Sequence, residues 1–128
     1  DSITDENRNR LTRLFQKKAD EWNTVFLITG KEDMIVSKDE CFFVQNGSPD
    51  MANITGTGCM LGMVCASYLA SASNAFNAAL TSTVEFGIAG ELAAKKTTAP
   101  GSFQVQLLDS FYQLTEAKRD SLAKIIVY

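Results

Sequence analysis

Histidine is missing from all 128 residues of this chain. On its own the chain therefore cannot assemble a Ser-His-Asp or Cys-His nucleophile, nor a zinc site of mixed cysteine and histidine. Cysteine is scarce: Cys41, Cys59 and Cys65 include no CxxC pair, and so few, odd in number, suit a reducing compartment rather than a disulfide framework. Basic runs are lacking. The 12 Lys and Arg are outnumbered by 15 Asp and Glu, whereas a nucleic-acid backbone demands clustered cations, so no nucleic-acid partner is expected. No stretch reaches the roughly 18 unbroken apolar residues of a membrane span. The polar opening DSITDENRNR does not read as a signal peptide. The expected setting is the cytoplasm, with no membrane partner.

What is present suffices for one core. A chain that is 45% hydrophobic and 21% charged has the balance of a globular domain, and its length suits one domain rather than two. It opens without methionine, on what reads as a helix in mid-protein, so a piece of a longer protein is expected. Ser2 or Thr4 is placed to cap a helix over 5–22, with Asp5 and Glu6 in its first turn. Leu11, Leu14, Phe15, Ala19 and Trp22 recur on one face of it. The next run, TVFLITG at 24–30, is β-prone, apolar on both faces and ends on glycine, which predicts a central strand of a parallel sheet covered on both sides. DMIVSKDECFFVQN at 33–46 reads as two short strands about the polar SKDE turn, and Asn46-Gly47-Ser48-Pro49 as a loop. A helix rich in small residues is expected over 58–72 and a second over 75–96, where Gly87 and Gly90 suggest close packing. Ala99-Pro100-Gly101 breaks that helix. Ser102 then caps a last one, with Phe103, Leu107, Leu108 and Phe111 inward.

This set does not close on itself. A doubly covered strand needs parallel neighbours, yet the pattern offers one such strand and a hairpin for four helices. The fold class is α/β. The missing strands are expected in an N-terminal portion outside these residues, with a second chain as the alternative source.

Thr55-Gly56-Thr57-Gly58-Cys59 precedes the helix rich in small residues. Glycines let a backbone take positive φ and come close to a ligand. A helix start leaves its first amides unpaired and carries partial positive charge, so the two features together make a pocket for an oxyanion, commonly phosphate. The stretch lacks the lysine of a Walker loop. It also fails GxGxxG, because the third position falls on Leu61 and Gly62 comes one residue late. Cys59 lies where the helix field favours an anion, which makes its sulfur a candidate proton acceptor for a hydroxyl, weaker than a carboxylate held in the same place. The alternative is a small buried residue that opens a helix.

NITGTGCMLGMVC, residues 53–65, resembles the anion-hole region of the ribokinase-like small-molecule kinases, in which the residue after the second glycine is usually aspartate. Cysteine there is similar to two branches, the hydroxyethylthiazole kinases and the hydroxymethylpyrimidine (phosphate) kinases. ITGKED at 28–33 and PGSFQVQLLD at 100–109 resemble the first branch, in order and at family-like spacing. Only SLAKIIVY at the end is unplaced. Family members are about twice as long, so residues 1–128 match the C-terminal half of a single ribokinase-like kinase domain, a portion of a three-layer α/β/α fold.

The resemblance implies transfer of phosphate from ATP to the primary alcohol of hydroxyethylthiazole in thiamine salvage, with Mg2+ bridging the phosphates. It implies Thr29 as a nucleotide contact and Gly56 as the backbone touching the substrate alcohol. Thr57, Gly58 and Cys59 would join Gly56 about the transferring phosphoryl group as an anion hole, with Cys59 as a modest general base. It places no metal ligand in this chain, the acidic magnesium residues lying upstream, and it implies a homotrimer with sites at subunit boundaries. Lys31, Glu32 and Asp33 read as a solvated turn, with nucleotide or Mg2+ steering as the alternative. Asn46 and Gly47 read as turning the chain, and Cys41 and Cys65 as core. Gly87 and Gly90 read as packing, with an adenine pocket as the alternative. The rival readings are a hydroxymethylpyrimidine kinase, a kinase half fused to a thiamine-phosphate synthase, a non-catalytic α/β interaction module and a redox protein built on Cys59.

Overall fold

A strand with apolar side chains on both faces has no side to offer water, so the runs around DMIV and CFFV must lie between two layers. The structure, a computed structural model, describes residues 3–128. In it Asp33–Val36 (β2) and Cys41–Val44 (β3) form an antiparallel hairpin about the SKDE turn, with Met34 opposite Phe43 and Ile35 opposite Phe42. Phe26–Ile28 (β1) pairs with β2 and Ile125–Val127 (β4) with β3, giving the order β1-β2-β3-β4, antiparallel throughout. Alternate side chains leave opposite faces of such a sheet. Met34, Val36, Cys41 and Phe43 meet Leu11 and Phe15 of the helix Arg8–Trp22 (α1). Ile35 and Val44 meet Phe76, Val84 and Ile88 of the helix Ala75–Ala94 (α3). The layers are α/β/α.

Two expectations change here. The strand read as the centre of a parallel sheet is the end strand of this sheet and runs antiparallel to β2. It is covered on both faces, Phe26 and Ile28 toward α1 and Leu27 toward α3, but apolar cover says nothing about the direction of a neighbour. Helix α1 starts at Arg8 rather than at residue 5. Thr4 does not cap it; the Thr4 amide instead donates to Asn7 Oδ1 at 2.8 Å, and Ser2 lies outside the described residues. The inner stripe of α1 is Leu11, Thr12, Phe15 and Ala19, while Leu14 and Trp22 face outward, Trp22 at 65% exposure.

Beyond β3 the expected loop is in part a 3-10 helix, Pro49–Asn53, whose start is capped by Ser48 Oγ accepting from the Asp50 amide at 3.2 Å. Helices Thr57–Leu69 (α2), α3 and Pro100–Gln113 (α4) follow. Proline, with its fixed φ and no N–H, suits a first helical position, so Pro100 opens α4 behind Ala99. Ser102 falls inside that first turn and does not cap. Phe103 and Leu107 are buried and Phe111 packs beside them, but Leu108 is exposed. A short helix, Glu116–Leu122 (α5), begins with Thr115 Oγ1 accepting from the Lys118 amide. It leads into β4, so SLAKIIVY completes the sheet.

Candidate active site

Gly56 takes the left-handed conformation, φ 92°, at the threshold of α2, a backbone shape that costs glycine nothing. The first main-chain bond of the helix runs from the Met60 amide to the Gly56 carbonyl at 2.9 Å. The Thr57, Gly58 and Cys59 amides precede it and have no carbonyl within α2 to meet. Thr57 Oγ1 donates to the Met51 carbonyl at 3.2 Å, which ties this helix start to the 3-10 helix.

A cavity of about 690 Å3 opens here, lined among others by Thr57 and Gly58 of α2, Thr29 of the β1–β2 connection, Asp33 at the start of β2, Met51, and Thr83 of α3. Three of the residues picked from the sequence, Thr29, Thr57 and Gly58, thus share one cavity. Gly56 and Cys59 are not among its lining residues. Successive helical side chains turn by about 100°, so Cys59 points past the cavity that Thr57, Gly58 and Leu61 face, and it is exposed. Its amide still points along the helix axis with the others.

The turn between β1 and β2 is not the solvated turn expected. Lys31 is exposed, but Glu32 is buried. Arg8 Nε donates to Glu32 Oε1 and Gln45 Nε2 to Glu32 Oε2, both at 2.8 Å. Burial alone would raise the Glu32 carboxyl; the bonds from Arg8 and Gln45, with the Arg8 charge, outweigh it and hold the group below its ordinary range. Asp33 Oδ1 accepts from the Gly30 amide at 2.9 Å.

Asn46 and Gly47 do more than turn the chain. Asn46 is buried, its Nδ2 donating to Glu91 Oε1 at 3.1 Å and to the Leu122 carbonyl at 2.9 Å, while its Oδ1 accepts the Lys124 amide at 2.8 Å. Glu91 Oε1 also accepts the Gly47 amide at 3.0 Å. This wall of the cavity lies flat on α3, because a Cβ at Gly87 would fall 2.8 Å from Asn46. Gly90 is pressed in the same way by Met51. Cys41 is core, and Cys65 packs half-buried against the α3 side of the sheet. Met51 and Thr83 carry no sequence motif that would have placed them at the cavity. Thr83 Oγ1 is buried and has no hydrogen-bond partner among the described residues.

Among the described residues no three metal-capable side chains gather, and Asp33 is the one carboxylate among those lining the cavity. One carboxylate is too little to hold magnesium without phosphate oxygens. No helix among the described residues is long and apolar enough to cross a membrane.

Residues 1–117 match the hydroxyethylthiazole kinase family. The chain is 43% identical to a hydroxyethylthiazole kinase of Clostridium tetani over 88% of its own length and 42% of the relative's. It is 38% identical to one from Clostridium kluyveri over 98% of its length and 46% of the relative's. The solved hydroxyethylthiazole kinase of Pyrococcus horikoshii OT3 superimposes with a TM-score of 0.88 at 31% identity, over 96% of this chain and 48% of that one. The chain thus spans about half the length of the curated relatives it matches. With its layers, its glycine threshold and its sequence all in agreement, the chain belongs to the hydroxyethylthiazole kinase family.

Proposed function

We propose that this chain is the C-terminal half of a single ribokinase-like kinase domain, and that the whole protein transfers phosphate from ATP to the primary alcohol of hydroxyethylthiazole. The carrying observation is the start of α2: three amides with no acceptor within the helix, behind a left-handed Gly56, beside a cavity that also takes in Thr29. Thr29 contacts the nucleotide at the end of β1. The Gly56 backbone meets the substrate alcohol, and the amides of Thr57, Gly58 and Cys59 face the oxygens of the phosphoryl group.

In the transfer the alcohol oxygen bonds to the γ-phosphorus as the bond to the bridging oxygen of ADP breaks. The Cys59 sulfur, exposed at the same helix start and turned away from the lining described above, would take the alcohol proton from a substrate seated on that outer side of the α2 threshold. Such transfers depend chiefly on alignment and on charge stabilisation, so a weak base is enough. Magnesium, when bound, neutralises phosphate charge, and its protein ligands lie outside this chain. Homotrimeric assembly in the cytoplasm and a role in thiamine salvage complete the reading. The test is a steady-state assay of the full-length protein with ATP and either hydroxyethylthiazole or hydroxymethylpyrimidine. Turnover of the thiazole is expected, and turnover of the pyrimidine alone overturns the assignment.

A further inference from the structure

We propose that Asp33 is a positioning residue for this cavity: its carboxylate accepts the Gly30 amide and so fixes the turn that presents Thr29 to the ligand. The inference rests on the reading of Thr29 as a nucleotide contact. The hydrogen bond of 2.9 Å closes residues 30–33 into a turn between β1 and β2. Thr29, Gly30, Lys31 and Asp33 all line the cavity, whereas Glu32 is turned inward onto Arg8 and Gln45. One side of the turn is therefore anchored in the protein through Glu32, and the other, closed on itself by the Asp33–Gly30 bond, lines the cavity.

The charge of Asp33 is kept there against the fold. Burial, and then the neighbouring Glu32, push its carboxyl up to about 6 against the pull of the Gly30 bond. The other charged group on the turn is Lys31, and the Glu32 charge is met by Arg8. The folded value lies above the ordinary 3.8, so the fold favours the neutral acid. The resulting penalty is absent where both states are protonated, grows as pH rises, and is complete above about 6. Asparagine would avoid that penalty, and a carboxylate standing at a cavity at that cost is a candidate for use of its charge. An ionised acceptor holds an amide more firmly than a neutral one.

The test uses the full-length protein with ATP as probe. Asp33→Ala is expected to raise KM for ATP about tenfold, as for loss of a charge-assisted hydrogen bond, with kcat within about twofold. Asp33→Asn keeps an acceptor oxygen. Relative to wild type its KM for ATP should be nearly unchanged near pH 5 and raised about threefold to fivefold near pH 8; the ratio cancels the titration of ATP itself. Asp33→Asn should also melt higher than wild type near pH 8 and by much less near pH 4, which shows that the variant is folded. An unchanged KM for ATP in Asp33→Ala overturns the proposal. So does a rise confined to the thiazole, or a tighter KM for ATP in Asp33→Asn near pH 8. Should wild type fail to phosphorylate the thiazole, the proposed function falls by itself, and calorimetric titration with ATP decides the Asp33 question. Tenfold weaker binding by Asp33→Ala upholds the proposal; equal binding, or none by wild type, overturns it.

Discussion

At the scale of the residue, the proposed base role of Cys59 asks how a thiol would serve in place of the aspartate that the resemblance to ribokinase-like kinases implies. A cysteine in water is mostly thiol at neutral pH, whereas a carboxylate is fully ionised and ready to accept a proton. The exposed position of Cys59, three residues past a left-handed glycine, leaves room for either side chain. Cys59→Asp is therefore expected to retain or raise kcat. Cys59→Ala should lower it about tenfold to a hundredfold, the lower end of what a positioned base contributes. KM for ATP should stay within about threefold in both, because the amides proposed to face the phosphoryl group belong to the main chain. The steady-state comparison is sharp: a fully active alanine variant beside a dead aspartate variant removes the base role.

At the scale of the element, the glycines of α3 show how a helix makes one wall of the cavity. Gly87 lies against Asn46, where an added Cβ meets both side chain and carbonyl at 2.8 Å. Asn46 cannot retreat, being tied to Glu91, Leu122 and Lys124. Gly90 lies against the thioether of Met51, the flexible end of a long side chain. Alanine in a helix gains about 1 kcal/mol over glycine, and forced overpacking costs about 1–3 kcal/mol. Gly87→Ala should thus lower the melting temperature of the full-length protein by roughly 3–6 °C. Gly90→Ala should leave it within about 2 °C, while moving Met51 along the cavity wall and shifting a substrate KM. Equal melting shifts for the two variants would contradict this difference between rigid and flexible neighbours.

Elements also mark the limit of what could be read from sequence. The hairpin, α1 and α4 were legible because their apolar periods are local, and α2 and α3 as unbroken runs rich in small residues. Helix α1 lost its expected cap because the Asn7 side chain meets Thr4 rather than Thr4 capping the turn. The antiparallel placement of β1 was not legible, since two-sided cover is the same for either strand direction. Of the cavity, the threshold at Gly56 and Thr29 just past β1 were visible through motifs, and a nucleotide contact by Thr29 belongs to the proposed function. Asp33 passed for solvent because the cavity it lines is completed by Asn46 and Met51 from later in the chain. Thr83 carries no local signal; only the packing of α3 against the loop brings it to the cavity.

At the scale of the whole molecule, α2 is out of keeping with its surroundings. TGCMLGMVCASYL has no charged residue, and only Leu61 is buried. A helix apolar on all sides belongs inside a protein, yet Met63 is 74% exposed and Leu69 51% exposed. Strand β1 ends the sheet with β2 on one side only, and an unpaired edge is a template for another strand. Both exposed features fit a chain that covers less than half of its relatives' lengths. Residues 1–128 expressed alone should therefore self-associate at micromolar concentration and bind a hydrophobic dye, because exposed apolar surface and an open edge drive association. Met63→Lys places a charge on the exposed face of α2, where it disturbs nothing buried, and should shift the isolated chain toward monomer in sedimentation velocity. A wild-type fragment that sediments as a monomer with no dye binding would show that α2 and β1 are stable as they stand, and that the chain needs no further cover.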